Sequence, residues 1–281
     1  MPARIDVHLL PQLTSADRLA GKTVVMIDLL RAGTTIVEAL ASGARQIRPC
    51  LEVDEAWRLA ETFPPDEVLL GGERGGEPID GFQLGNSPGE YTEQAVRGKT
   101  IVFTTTNGTR ALACCQRADT TWIGALVNLS ALCRRLEPCQ EVAILCAGTA
   151  GNVSRDDVLA AGAITYRLAA TGGSAAAPKP HSETTQAASH GQATLQYDGA
   201  SGPALNDSAR LARAAWRAVL ASAVARGETI SDRLARELRE TQGGRNLLAI
   251  GRQEDLSAAA AVDRHTIVPR YDPDTRSVRL P

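Results

Sequence analysis

The chain of 281 residues is poor in aromatic residues and has no dominant charge. Aromatics make up 4% of it, and 30 Lys and Arg residues against 32 Asp and Glu residues give a formal net charge of −2. Without bulk positive charge we expect no nucleic-acid partner. The sequence also lacks an apolar run near the roughly 18 residues of a membrane span, and it does not open on a secretory signal. We therefore expect a cytoplasmic protein without a membrane partner.

The six cysteines include no Cys-x-x-Cys pair. We therefore expect reduced thiols, with neither a disulfide framework nor a zinc site. Cys146 ends a predicted strand and is a candidate nucleophile, but no His stands in a recognisable partner position. A buried structural thiol is the favoured interpretation of Cys146.

Aliphatic residues are abundant, and their pattern predicts the fold. Hydrophobic residues make up 43% of the chain. From Thr23 to Leu168, short aliphatic runs alternate with longer amphipathic stretches, which is typical of βα units and a mostly parallel sheet. We predict an α/β fold with flanking helices and a smaller C-terminal α/β lobe. The predicted parts are an α/β domain at 1–170, a flexible low-complexity insertion at 171–203, and a helical and strand region at 204–281 that completes the site.

The predicted elements follow from the same pattern. Strands are predicted at 24–27, 46–49, 67–70, 100–104, 121–124 and 141–146, with an edge strand at 277–280. Helices are predicted at 34–42, 54–61, 88–98, 107–115, 130–136, 155–169, 207–226 and 231–241, with a short one ending at Gly251.

Polar residues follow four of the predicted strands. Asp28 with Arg31, Glu73 with Arg74, the segment 104–110 and the segment 146–148 all lie where a strand ends. Open α/β sheets place their ligand crevices at the carboxyl ends of the strands. The sequence therefore predicts a site at this edge.

The segment 104–110, Thr-Thr-Thr-Asn-Gly-Thr-Arg, joins a strand to a helix. Backbone N–H groups at a helix start favour an anion, and Arg110 adds a charged fork, which together indicate a phosphate site. The alternative is an ordinary N-cap turn, since Thr and Asn cap many helices.

Asp28 and Glu73 are the candidate acids. A carboxylate just past a buried strand can bind a hard cation or take a proton, and Mg²⁺ sites use one or two carboxylates with substrate oxygens. The alternatives are a capping Asp beside a surface Arg, and a solvated loop around Glu73. Asp156-Asp157 and Asn206-Asp207-Ser208 are interpreted first as helix starts.

Taken together, these motifs resemble the ComB-type 2-phosphosulfolactate phosphatase family. Order and spacing agree over most of the chain outside the insertion. The matching segments are 27–35, 72–74, 81–88, 98–110, 146–148, 154–162, 205–209 and 244–251.

The resemblance implies a Mg²⁺-dependent hydrolase that removes phosphate from 2-phospho-3-sulfolactate in a route to coenzyme M. The substrate is then a small anionic phosphoester. The implied catalytic residues are Asp28, Arg31, Glu73 and Arg110. The implied Mg²⁺ ligands are Asp28, Glu73 and Asp207. The implied substrate-binding residues are Arg74, Thr105, Thr106, Asn107, Gly108, Thr109 and Arg245. Asp28 has a second candidate role, as a nucleophile that forms an aspartyl-phosphate.

Three positions depart from the family pattern. Gly33 stands where a hydroxyl residue is usual, Gln83 where Asp is usual, and Gly243 where His commonly precedes Gly-Arg. Two alternatives therefore stay open: a phosphatase for another small acidic phosphoester, and a non-catalytic binder of a phosphorylated metabolite. Base rates for such enzymes favour a homodimer.

Overall fold

The computed structural model describes residues 1–170 and 202–281, and eleven strands form one sheet in these ranges. In chain order the strands are β1 (Arg4–His8), β2 (Thr23–Ile27), β3 (Gln46–Pro49), β4 (Val68–Arg74), β5 (Glu77–Pro78), β6 (Thr100–Thr104), β7 (Thr120–Gly124), β8 (Glu141–Cys146), β9 (Ala204–Leu205), β10 (Arg270–Asp272) and β11 (Ser277–Arg279). The helices are α1 (Ala32–Ala41), α2 (Val53–Ala60), α3 (Glu93–Val96), α4 (Gly108–Cys114), α5 (Leu129–Leu136), α6 (Arg155–Ala170), α7 (Asp207–Arg226), α8 (Ile230–Arg239), α9 (Gln242–Ala249) and α10 (Glu254–Ala260).

The central strands are buried along almost their whole length. β2, β6 and β8 have the sequences TVVMI, TIVFT and EVAILC, and only the first residue of β2 and of β8 is not buried. Helices on both faces of a sheet produce such continuous apolar strands, because neither face meets water. The predicted α/β architecture with a mostly parallel sheet is confirmed.

The strand order is β5-β4-β6-β3-β11-β10-β7-β2-β8-β1-β9. Within it, β4, β6 and β3 form one parallel group, and β7, β2, β8, β1 and β9 form a second. The hairpin of β10 and β11 pairs antiparallel with both groups and joins them. C-terminal residues therefore complete the sheet from its middle.

The sequence located most elements to within two residues. β3, β6, β8 and α7 agree with the prediction at both ends. The predicted edge strand at the C-terminus is wrong in its position, because β11 lies inside the sheet between β10 and β3. The segment 88–98 is not one helix: a 3₁₀ turn (Pro88–Glu90) and the short α3 divide it. β1, β10 and α10 were not predicted.

The insertion predicted at 171–203 lies, apart from its last two residues, outside the described residues. Among the described residues, no helix is long and apolar enough to span a membrane.

The longest described helix, α7, is held at its start and along its side. The Asn206 side chain accepts a hydrogen bond from the Ala209 N–H (2.8 Å), as expected of an N-cap, and it also exchanges hydrogen bonds with the backbone of Val7 in β1. Gly162 in α6 faces the backbone of Ala212 in α7 so closely that a Cβ would overlap the Ala212 carbonyl oxygen. Gly162 therefore sets the distance between these two helices.

We predict that Gly162→Ala lowers the free energy of unfolding by about 2 kcal/mol, even though Ala is the better helix former, because a backbone carbonyl cannot rotate away. Gly89→Ala is the matched control, since no atom lies within 4 Å of a Cβ there. Urea titration followed by circular dichroism measures both variants. Equal midpoints for the two would contradict this account of the α6 and α7 contact.

Candidate active site

A cleft of about 150 Å³ lies between the carboxyl ends of strands from both parallel groups and the side of α9. The segments that follow β2, β6 and β8, together with the end of β4 and its loop, form one wall. The residues of α9 and the Ile250 that follows it form the other. Among the predicted site residues, those that line the cleft are Asp28, Arg31, Glu73, Thr106 and Asn107.

Asp28 is a buried carboxyl with one free oxygen. It is 5% exposed, and its Oδ1 accepts a hydrogen bond from the Ala32 N–H (3.3 Å), while no donor in the described ranges reaches Oδ2. Burial, and then the charges of Glu73 and Asp156, raise the pKa of Asp28 to about 7. A carboxyl that titrates near neutral pH can exchange protons or, once ionised, hold a cation.

Gly108 brings the backbone of the loop after β6 against Asp28. A Cβ at Gly108 would lie 2.7 Å from Asp28 Oδ2, so a larger residue would cover the free oxygen. The N–H groups of Asn107 and Gly108 have no acceptor among the described residues. Because α4 has only seven residues, these N–H groups matter more than a helix dipole for binding an anion.

Glu73 joins two loops of the cleft. Its Oε1 accepts the Thr106 N–H (2.7 Å), and its Oε2 accepts the Gly76 N–H (2.7 Å) and the Thr106 hydroxyl (3.1 Å). Each carboxylate oxygen can accept two hydrogen bonds, so Oε1 retains one free lone pair. Glu73 therefore fixes the loops after β4 and β6 and still offers an oxygen beside Asp28.

Arg31 is buried in the cleft wall and bonded to protein acceptors. Its Nη1 donates to Asp255 Oδ2 (2.9 Å) and to Ser87 Oγ (3.0 Å), and its Nη2 donates to the carbonyl oxygen of Gly76 (2.8 Å). The Ser87 hydroxyl donates to the same Asp255 oxygen (2.8 Å). Arg31 thus ties α10 to the loop after β4, and Asp255 offsets its charge.

Two arginines predicted to bind substrate lie outside the cleft lining. Arg74 donates to the carbonyl oxygens of Glu73 and Leu51 and to the Thr104 hydroxyl. Arg245 is exposed on α9 and donates to the Glu240 carbonyl oxygen and the Gln242 side chain.

The remaining predicted residues support the loop or lie elsewhere. Thr109 donates its hydroxyl to the Thr105 carbonyl oxygen (2.8 Å) and its N–H to the Thr105 hydroxyl (3.3 Å), which closes the turn at the start of α4. Arg110 is exposed on α4, and Asp207 is exposed at the start of α7; neither lines the cleft.

Asp156 and Asp157 are buried acids near Asp28 that the sequence analysis interpreted only as a helix start. Asp157 is buried, and its two oxygens accept the N–H groups of Leu29 and Gly148 (2.8 Å each), which fixes the segments after β2 and β8 to the start of α6. Burial raises the pKa of both carboxyls, and the Ser154 hydroxyl donates to Asp156. A pair of acids at a helix start after a strand-end Gly was the signal, but it is shared with ordinary helix starts.

The three departures from the family pattern have separate structural settings. The Gly33 N–H donates to the Asp28 carbonyl oxygen (2.7 Å), and Gln83 Oε1 accepts the Leu70 N–H (2.8 Å) at β4. Gly243 lines the cleft, and a Cβ there would be 3.3 Å from both oxygens of Asp156. A side chain at position 243 would therefore enter the cleft beside Asp156.

Cys146, the alternative nucleophile, is fully buried in β8 and does not line the cleft. Burial, and then the charges of Asp157 and Asp156, raise the pKa of its thiol well above the ordinary value. A thiol in this setting stays protonated at neutral pH, so it is a poor nucleophile.

We predict a pH-dependent stabilisation by Asp28→Asn. The folded chain keeps the Asp28 proton up to about pH 7, whereas an ordinary Asp loses it at 3.8. The Asp28 contribution to the free energy of unfolding therefore falls between about pH 4 and pH 7. In EDTA, Asp28→Asn should gain a few kcal/mol over the parent chain at pH 8, at roughly 1.4 kcal/mol per pKa unit, and nothing at pH 4.

Thermal unfolding of both chains across this pH range measures the effect. Asp272→Asn is the control, because hydrogen bonds from Thr275 lower the pKa of that half-buried carboxyl and no gain at pH 8 is expected. A difference between Asp28→Asn and the parent that does not change with pH would refute the ionisation described for Asp28.

We also predict that Asp255→Ala lowers the free energy of unfolding by about 3 kcal/mol, because it leaves the buried Arg31 charge without its partner. Asp255→Asn keeps an acceptor oxygen for Arg31 and should lose less. Urea titration compares the two variants, and a larger loss for Asn than for Ala would be inconsistent with this pairing.

Comparison with known proteins assigns the chain to a family. A family model described as 2-phosphosulpholactate phosphatase matches residues 8–274. A probable 2-phosphosulfolactate phosphatase of Symbiobacterium thermophilum is 38% identical over 257 residues, which cover 91% of this chain and 94% of the relative. One of the same name from Caldanaerobacter subterraneus subsp. tengcongensis is 48% identical over 151 residues, and this match covers 53% of the chain and 63% of the relative. The chain belongs to the 2-phosphosulpholactate phosphatase family, which confirms both the resemblance and the predicted enzyme class of phosphoric monoester hydrolase.

Proposed function

We propose that this chain is a Mg²⁺-dependent phosphatase that hydrolyses 2-phospho-3-sulfolactate to 3-sulfolactate and phosphate. The relatives named above carry the name of this activity. The structural observation behind the proposal is the setting of Asp28, whose free Oδ2 lies against Gly108 at a loop with two unpaired N–H groups. The cleft thus has an acid and oxyanion donors at one place.

Charge balance supports a cation in the reaction. The proposed substrate carries phosphate, sulfonate and carboxylate groups, and the cleft itself contains Asp28 and Glu73. Among the described lining residues, Arg31 is the one cationic side chain, and Asp255 already offsets its charge. Without further positive charge, repulsion between the carboxylates and the substrate would oppose binding.

The residues present fit Mg²⁺. Among the described residues Asp28 Oδ2 has no donor and Glu73 Oε1 has one lone pair left, so both offer hard oxygen ligands. Mg²⁺ is commonly held by one or two carboxylates, with waters and substrate oxygens in the other positions. Asp28 and Glu73 would hold the ion; bound there, it would neutralise charge on the phosphoryl oxygens. Asp207, the third predicted ligand, lies outside the cleft lining.

The chain's own groups have separate parts in the reaction. The N–H groups of Asn107 and Gly108 would donate to phosphoryl oxygens, and Glu73 and Asp157 keep the surrounding loops in place. Asp28 has two candidate roles. In one it is a cation ligand only; in the other its ionised Oδ2 attacks phosphorus, the ester P–O bond breaks and the leaving alkoxide of sulfolactate takes a proton from water, after which a second water hydrolyses the aspartyl-phosphate, releasing phosphate and restoring the Asp28 carboxylate.

A second substrate remains a candidate because of Gly243. Its lack of a side chain leaves space beside Asp156, so another small acidic phosphoester is the alternative substrate. A panel of phosphorylated hydroxy acids tests this alternative. Stabilisation by substrate and Mg²⁺ without phosphate release would instead indicate a non-catalytic binder.

The metabolic route, the cellular location and the oligomeric state are also part of the proposal. The resemblance puts 3-sulfolactate formation in a route to coenzyme M. The cytoplasmic location and the homodimer stay predictions, for which fractionation and light scattering are the measurements.

We predict that the purified chain releases phosphate from racemic phosphosulfolactate in Mg²⁺ and not in EDTA. Asp28→Asn should lower kcat about 10³-fold, within the range typical of losing an acid–base group or nucleophile. Asp272→Asn, at a half-buried carboxyl outside the cleft lining, is the matched control and should stay within about twofold of the parent. Malachite-green detection of phosphate measures all three chains.

Substrate labelled with ³²P separates the two roles of Asp28. Protein-bound label after acid quench, absent in Asp28→Asn, identifies the aspartyl-phosphate. Undiminished turnover by Asp28→Asn would remove Asp28 from the reaction.

A further inference from the structure

Asn86 contributes an unpaired buried oxygen to the cleft. Its side chain lines the cavity and the residue is 5% exposed, yet its Oδ1 has no hydrogen-bond partner among the described residues. The main chain of Asn86 is held in place, because the Thr35 hydroxyl donates to its carbonyl oxygen (2.8 Å). The amide therefore stands on a fixed backbone with its acceptor unused.

The unpaired Asn86 oxygen lowers the stability of the fold. Leaving a buried polar atom without a partner costs about 1–3 kcal/mol, so native structures rarely retain one without a reason. Arg31, which lines the same cleft, donates to Asp255, Ser87 and Gly76 and makes no hydrogen bond to the Asn86 oxygen among the described residues. Phosphate, sulfonate and carboxylate groups in their ionised forms have no hydrogen to donate, so the proposed substrate cannot satisfy this oxygen either.

Asn86 and Asp28 are anchored to the same turn of α1. Asp28 Oδ1 accepts the Ala32 N–H, and the Asn86 carbonyl oxygen accepts the Thr35 hydroxyl. Residues three apart on a helix lie about 5–6 Å from each other. The two anchors thus place the Asp28 side chain and the Asn86 main chain at one end of α1, and both residues line the same cleft.

The residues around Asp28 indicate that a cation bound there would need neutral oxygen ligands. In residues 1–170 and 202–281, no three His, Cys, Asp or Glu side chains converge on a common point. A hard cation at Asp28 therefore completes its shell with neutral oxygens, and amide oxygens belong to the set that such cations accept. We propose that Asn86 supplies its amide oxygen to the divalent cation held by Asp28. This inference rests on the metal dependence in the proposed function.

Titration with Mn²⁺ alone, without substrate, tests the proposal. Calorimetry or the electron paramagnetic resonance of free Mn²⁺ gives the Kd for the parent chain and three variants. Asn86→Ala should weaken Mn²⁺ binding at least about 10-fold through loss of a ligand, and Asn86→Asp should tighten it by a similar factor through added charge. Asn246→Ala is the matched control in the same cleft, because the Asn246 amide oxygen already accepts from Gln242 (2.8 Å), and it should stay within about twofold.

The outcomes separate this inference from the proposed function. If the parent binds no Mn²⁺, the metal dependence of the proposed function fails and the inference fails with it. If the parent binds Mn²⁺ and both Asn86 variants bind it equally well, the inference alone is overturned. If Asn86→Asp leaves Mn²⁺ binding unchanged and raises KM, the amide contacts substrate instead, which also overturns it.

A second measurement needs no variant and covers the case in which the substitutions prevent folding. A crystal of the parent chain soaked in Mn²⁺ gives an anomalous peak at the ion. The proposal requires that peak within about 2.3 Å of Asn86 Oδ1. A peak bound to Asp28 and remote from Asn86 overturns it.

Discussion

The burial of several carboxyl groups around one strand end is the constraint on which the rest of this structure depends. Asp28, Glu73, Asp156 and Asp157 are each at most 6% exposed. Removing charged carboxylates from water is unfavourable, and placing them near each other adds repulsion. Backbone N–H groups stabilise two of these carboxyls by donating hydrogen bonds to both oxygens of Glu73 and of Asp157. Within the described residues the Asp28 side chain receives one long hydrogen bond, so its carboxyl is less firmly held than those of Glu73 and Asp157.

The elements that enclose the cleft come from distant parts of the chain. Asp255 in α10 pairs with Arg31 after β2, and Arg31 reaches the loop after β4. The pair is buried, so it adds little net stability over an apolar contact. Its larger effect is on geometry, because one guanidinium fixes three segments in a single arrangement. The C-terminal region is therefore part of the cleft rather than an appendage to it.

Sequence reasoning predicted the sheet, most elements and the strand-end location of the cleft, because buried strands and amphipathic helices have strong periodic signals. It did not predict β10 or α10, since short elements are specified by tertiary packing. For the cleft, Asp28 and Glu73 were identified from their position after a strand. Asn86 and Asp157 were not, because their importance lies in contacts with residues far away in sequence, such as Thr35 and Leu29. Arg74 was identified from charge and position; its guanidinium donates to two backbone carbonyl oxygens and to the Thr104 hydroxyl, and its part in substrate binding stays a prediction.

The hairpin in the middle of the sheet bears on the order of folding. Val278 pairs with Ile47, and Tyr271 pairs with Thr121, so two strands late in the chain connect two groups of strands that precede them. During synthesis on the ribosome, each parallel group would expose an unpaired edge until the hairpin emerges, and such edges invite association with other chains. We therefore expect nascent chains stalled before the hairpin to be more prone to aggregation than full-length chains.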